Sequence, residues 1–90
     1  MRVVHKFVFE TSPTLDIILD VKAAIVLTGI DWSSGRPAIW IERSAEWETA
    51  IKSPACFKIY GTGQRDIPDY AIHVGSIIQS PYVWHVYRIS

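Results

Sequence analysis

The sequence predicts an all-β fold: a small antiparallel β-sandwich or partly open barrel of about six strands, with at most one short helix. Three observations predict it. Apolar and polar residues alternate with a period of two through most of the chain. β-branched and aromatic residues crowd those alternating stretches. Short clusters of Gly, Pro and Ser separate them and supply turns. Ninety residues make one domain, residues 1–90, in which most of the chain must serve one core; the 49% apolar fraction is ample for it.

Each element follows from its own pattern. RVVHKFVFE places Val3, His5, Phe7 and Phe9 on one face of a strand and Val4, Lys6, Val8 and Glu10 on the other. TSPTLD is a turn, and Leu15 to Leu19 can form a short strand ending at Asp20. Ala24 to Trp32 reads as a strand, SSGR as a loop in which Gly35 can take a positive φ, and PAIWIE as the returning strand with Ile39 and Ile41 on one face. Together they make a β-hairpin over about residues 24 to 43.

Residues 44–53 are open between a helix and a structured loop. Ser44 suits an N-cap, Glu46 and Glu48 suit the first turn, Trp47 and Ile51 share a face, and Pro54 would end the segment. CFKIYG, AIHVGSII and YVWHVYRI are the remaining strands. A tight connection at Ser80-Pro81 sets Ser76 opposite His85, Ile77 opposite Trp84 and Val74 opposite Tyr87.

Charge and composition exclude several functions. Nine basic and nine acidic residues cancel, so the electrostatic footprint of a general nucleic-acid binder is missing, as is a polybasic membrane contact. AAIVLTGI, the apolar uncharged run from Ala23 to Ile30, is far below the ~20 residues that span a bilayer. A single cysteine, Cys56, forms no intrachain disulfide and suits a reducing cytoplasm, and the N-terminus lacks the apolar run of a signal peptide. Four Trp and four Tyr exceed what a small core readily hides, so some aromatic surface is expected at an interface.

GTGQRD, at Gly61 to Asp66, raises the question of a phosphate loop. Such a loop needs a following helix and, in a P-loop, a Lys-Ser/Thr pair. Here Ile67-Pro68-Asp69 follows and no helical pattern continues. The glycines therefore read as relief of backbone strain where a strand ends, with a loop offering Thr62, Gln64, Arg65 and backbone amides to a ligand as the alternative.

FKIYGTG with IPD, then HVGSI, then VWHVY, resembles a family of small uncharacterised proteins common in bacteriophage and prophage genomes. The likeness falls on Val4-His5-Lys6, Gly35-Arg36-Pro37, Trp40, Phe57 to Gly63, Ile67-Pro68, Gly75-Ser76 and Val83 to Tyr87, nearly the whole chain. It departs at one extra residue before the Ile-Pro pair and at Ser44 to Ala55. The resemblance implies a phage accessory protein in the cytoplasm of the bacterial host and supplies no catalytic residues.

Candidate chemistry is sparse. His5, His73, His85 and Cys56 lack the close ligand pairs of a structural zinc site, so no metal and no cofactor is expected. Cys56 reads as a small hydrophobe rather than a nucleophile. Ser76 and His85 read as a buried polar pair that fixes the register or lines a pocket. The other face of the last hairpin carries Ile77, Tyr82, Trp84 and Val86, with Arg88 and His73 at its end. It is either covered by the Trp47 segment or exposed to a partner.

The expected function is non-enzymatic binding of a host protein, in defence or metabolism, or of a second copy. The binding surface would be Tyr82, Trp84 and Arg88 with the Gly61–Asp66 loop. The alternative is an oligomeric sponge that sequesters a nucleotide-like signal, with Tyr60, Thr62, Gln64 and Arg65 supplying ring and anion contacts.

Overall fold

The computed structural model describes residues 1–90: seven strands and no helix. These are β1 (Arg2–Val8), β2 (Thr14–Asp20), β3 (Ala24–Asp31), β4 (Arg36–Ser44), β5 (Lys52–Gly61), β6 (Ile72–Gln79) and β7 (Tyr82–Arg88). They form two antiparallel sheets in the orders β1-β4-β3 and β2-β5-β7-β6, packed face to face and not closed into a barrel. Alternate residues of each strand fill the gap. Phe9, Ile39 and Ile41 from the first sheet meet Ile17, Leu19, Ala55, Phe57, Ile77 and Val86 from the second.

Polar ties fix one sheet on the other. Arg43 Nε donates to Asp20 Oδ1 at 3.0 Å, in an ion pair buried at the edge of the core, and its Nη2 donates to the Ile18 carbonyl at 3.3 Å. Burial opposes ionisation of Asp20. The Ser44 amide and the Arg43 guanidinium outweigh it and hold the carboxyl below its ordinary range. On the other side, Thr28 Oγ1 donates to the Ser76 carbonyl at 2.7 Å, joining β3 to β6.

Two expectations change and one open alternative is decided. Leu15 to Leu19 extends to a full strand, Thr14–Asp20, which brings the total to seven. Of the helix and the structured loop left open at residues 44–53, the chain takes the loop: residues 45–49 are successive turns closed by three-residue bonds such as Trp47 N–H to the Ser44 carbonyl. The strand after them begins at Lys52 and runs through Pro54. Ile59 N–H to Pro13 and Val21 N–H to Ile51 set which β2–β5 pairs exchange hydrogen bonds. By that alternation Pro54, opposite Ile18, sits at a pair that exchanges none, so the missing donor leaves no gap in the ladder.

In the β6–β7 hairpin, Ser76 faces His85 and Ile77 faces Trp84, as expected. Val74 does not face Tyr87: His73 does, Gly75 faces Val86, and Val74 is the extra residue of a bulge. The bulge lies where Gly75 backs onto Thr28 of the opposite sheet.

Because β7 lies between β5 and β6, these two strands run parallel, and residues 62–71 must travel back along the sheet. The inner face is occupied by the first sheet, so the connection crosses the outer one. Ile67 and Pro68 are half-buried, and Tyr60, on the outer face, is only 1% exposed.

Candidate functional site

Four connections gather at one end of the sandwich. They are the β3–β4 turn (residues 32–35), the β6–β7 turn (80–81), the Gly61–Asp66 loop and the β1–β2 connection (9–13). Loops at one end of a rigid β-sandwich are a common place for recognition.

The β3–β4 turn is fixed by Asp31. Its carboxylate accepts from Lys6 Nζ at 2.7 Å, Ser34 Oγ at 2.6 Å and Ser33 Oγ at 3.0 Å, while its carbonyl accepts from Gly35 N–H at 2.7 Å. Lys6, then Ser34, hold the buried Asp31 carboxyl well below the usual carboxylate range, against the opposing effect of burial. Gly35 closes the turn at φ 70°, a conformation other residues rarely take. On this tied turn sits Trp32, 95% exposed, with Ile78 of the neighbouring hairpin at 78%. Trp32, Ile30, Gly35 and Ile78 border an open cleft of about 510 Å³.

The β6–β7 turn is tied to it. Gln79 Nε2 donates to the Gly35 carbonyl at 2.8 Å, and Gln79 Oε1 accepts from Trp84 Nε1 at 3.0 Å. Tyr82, 61% exposed, stacks on Trp84 with ring centroids 5.8 Å apart. A cleft of about 430 Å³ opens between Gly61-Thr62 and Pro81 to Trp84. Trp84 also borders a second cleft, of about 410 Å³, with Arg36, Lys58 and Gln64 on its rim.

The Gly61–Asp66 loop is a turn. Gln64 N–H donates to the Gly61 carbonyl, Gln64 Oε1 accepts from Gly61 N–H, and Gln64 Nε2 donates to Asp66. Gly63 has φ 93°, whereas Gly61 does not take a positive φ, so only Gly63 relieves backbone strain. Arg65 is exposed and has no salt bridge or side-chain hydrogen bond.

Of the residues singled out in the sequence, Thr62, Gln64, Arg65, Tyr82 and Trp84 come together at this end. Tyr60 does not: it lies buried beneath the crossover, edge-on to Tyr87 at 5.7 Å. Arg88 does not either. It pairs with Phe57 where Trp84 pairs with Gly61, four residues or about 13 Å along the strand, and it borders a smaller apolar cleft at the far end. Trp84 points inward and is half-buried against the core. The Trp47 segment does not cover it; Trp47 lies edge-on to His5 at 5.7 Å and under the Arg43 guanidinium at 4.4 Å. Trp32 is the residue the sequence reading missed. Its place next to SSGR, at a hairpin tip, was the available signal.

Ser76 and His85 meet as expected, Ser76 Oγ lying 3.1 Å from His85 Nδ1, but not in a buried site: Ser76 is exposed and His85 half-exposed. The pair is the middle of a longer chain. His73 Nε2 lies 3.2 Å from Ser76 Oγ, and His85 Nε2 lies 3.0 Å from Thr62 Oγ1, which donates to the Val83 carbonyl. Donor counting sets one direction for neutral rings. Thr62 gives its proton to Val83 and accepts from His85 Nε2–H, which leaves His85 Nδ1 to accept from Ser76. No carboxylate hydrogen-bonds to either imidazole, and the chain ends on the Val83 carbonyl. The chain acts as a clamp that fastens the loop after β5 to the β6–β7 hairpin.

No group of three or more His, Cys, Asp or Glu side chains is placed to hold a metal ion. Burial, then Asp16, pushes the Cys56 thiol up.

Comparison with the curated proteins and with the solved structures finds no match. The family comparison matches over residues 1–90, the full length of the sandwich, and the chain belongs to the family described as Domain of unknown function (DUF7352).

Proposed function

We propose that this is a non-enzymatic binding protein that engages a partner protein through the loop end of its sandwich. The observation that carries the reading is Trp32, 95% exposed on a turn tied down by Asp31. An indole held in water on an ordered turn is a standing cost that association removes, at roughly 25 cal/mol per Å² of apolar area covered. Trp, Tyr and Arg dominate the residues that carry binding energy. Trp32, Tyr82 and Arg65 place all three types at one end.

The motif resemblance in the sequence supports a phage or prophage gene as the natural setting and the bacterial cytoplasm as the place of action, and a host protein is the partner that setting favours. The test is affinity capture from bacterial lysate with wild type, Trp32→Ala, Tyr82→Ala and Ile51→Ala, the last an exposed residue near the opposite end. A partner retained by wild type and Ile51→Ala but lost by the two aromatic variants is expected. A partner retained equally by all four would overturn the reading.

The second reading, a sponge for a nucleotide-like molecule, keeps the cleft of about 430 Å³ and the unpaired Arg65 in its favour. It loses Tyr60 as a ring contact. A native mass spectrum showing the chain heavier by one small molecule would favour it.

A further inference from the structure

The two sheets have four edge strands, and three are guarded. β3 and β6 each carry a bulge, at Val26 and Val74, and abut one another through Thr28 and Gly75. On β2, the Ile18 carbonyl is taken by Arg43, the Thr14 amide by Ser12 and the Asp20 carbonyl by Ala23. These are the usual ways a sheet edge is protected from pairing with another chain.

β1 has none of them. Its seven residues are free of proline, and its register with β4 is unbroken. Phe9 N–H to Pro37 and Ala45 N–H to Met1 show that odd-numbered residues bond to β4. The even-numbered residues Arg2, Val4, Lys6 and Val8 therefore turn one N–H and one C=O each toward the open edge, and none of these groups has a partner. The edge cations do not stand guard, because Lys6 is tied to Asp31 and Arg2 to Glu42 across their own sheet.

We infer that β1 pairs with β1 of a second copy, antiparallel about a two-fold axis at His5, making one six-stranded sheet from two three-stranded ones. The register chooses the occupant. With His5 on the axis, Val4 faces Lys6 of the second copy and Arg2 faces Val8, so no two like charges are opposed. Both of those pairs exchange two hydrogen bonds, and every open backbone group of both edges is used. A net charge of zero adds no long-range repulsion. The surface is distinct from the loop end, so this inference and the proposed function stand or fall separately.

The test is mass in solution by light scattering from about 1 µM to about 1 mM. Wild type is expected to reach twice the 10.2 kDa chain within that range. Val4→Pro removes an outward N–H that the monomer does not use, so it should stay at single-chain mass with an unchanged melting curve in dilute solution. His5→Cys combined with Cys56→Ser reads the register: residues at a non-hydrogen-bonded pair lie closest, so an intermolecular disulfide should form in most of the protein. Val3→Cys in the same background should form little, since Val3 would face Phe7. A wild type that remains single-chain at about 1 mM overturns the inference. So does a dimer that survives Val4→Pro, or cross-linking better from position 3 than from position 5.

Discussion

Replacing Gly75 with Ala tests the close approach of the two sheets. A methyl at Gly75 would lie 2.5 Å from Thr28 Cγ2, 2.7 Å from its Oγ1 and 3.2 Å from its Cβ. The first two are shorter than real carbon contacts, and Thr28 has little freedom to retreat. Its χ1 is restricted by β-branching, and its hydroxyl is held by the Ser76 carbonyl at 2.7 Å. Either β6 shifts away from β3, or Thr28 rotates and drops the hydrogen bond. Overpacking that shifts β6 costs about 1–3 kcal/mol, and the lost bond at about 1 kcal/mol falls in the same range, so a loss of about 1–3 kcal/mol is expected by either route. For a domain of this size that lowers the melting temperature by roughly 4–24 °C.

The assay is urea and thermal unfolding followed by tryptophan fluorescence, for Gly75→Ala, Thr28→Ala and the double variant. Removing both Thr28 branches should make the added methyl nearly harmless, so that Gly75→Ala costs less than about 1 kcal/mol in that background. A cost below about 0.5 kcal/mol in wild type, or the same cost in both backgrounds, would refute the claim that steric contact with Thr28 is why glycine stands there.

Other outcomes follow from the same structure. Asp20 and Asp31 are both held below their ordinary value of 3.8 in the fold, so unfolding lets them take up protons more readily. Their contribution is full above about pH 5 and is lost as pH falls through 4 toward the native values, so the urea midpoint should drop between pH 5 and pH 3. A midpoint that rises over that interval would contradict the assignment. Gly63→Ala puts a side chain at φ 93° and should cost about 1–2 kcal/mol, measured by urea unfolding, whereas Gly61→Ala, whose methyl would meet Trp84 at an ordinary 3.5 Å, should cost less. Cys56, held as the thiol by burial and by Asp16, should alkylate more slowly than a free cysteine at pH 8, and Asp16→Asn should speed it.

Period-two alternation was enough to find the strands, to turn Ile39 and Ile41 inward, and to set Ser76 against His85. It could not decide which face of the last hairpin is the inner one. Ile77, Trp84 and Val86 on one side, and Val83, Tyr87 and Ile78 on the other, are both apolar, so Trp84 read as a surface residue when it faces the core. Local pattern also cannot register contacts made by the opposite sheet. The bulge at Val74 answers to Thr28, nearly fifty residues away, and the burial of Tyr60 to a crossover whose path depends on strand order. Pro54 argued for the end of a helix because a proline tolerated in a strand depends on which pairs exchange hydrogen bonds, and only the β2–β5 register decides that. The loop end was partly legible, as the Gly61–Asp66 turn and the last hairpin. Trp32 joins it only because Gln79 brings the two hairpin tips together.

The most direct test of recognition by the loop end is site-specific photo-cross-linking in bacterial cells. A benzophenone side chain would replace Trp32, Tyr82 or, at the other end, Ile51. A discrete adduct of the same mass from positions 32 and 82, and none from 51, is predicted. Adducts from position 51 alone would contradict the account and move the partner to the opposite end of the sandwich.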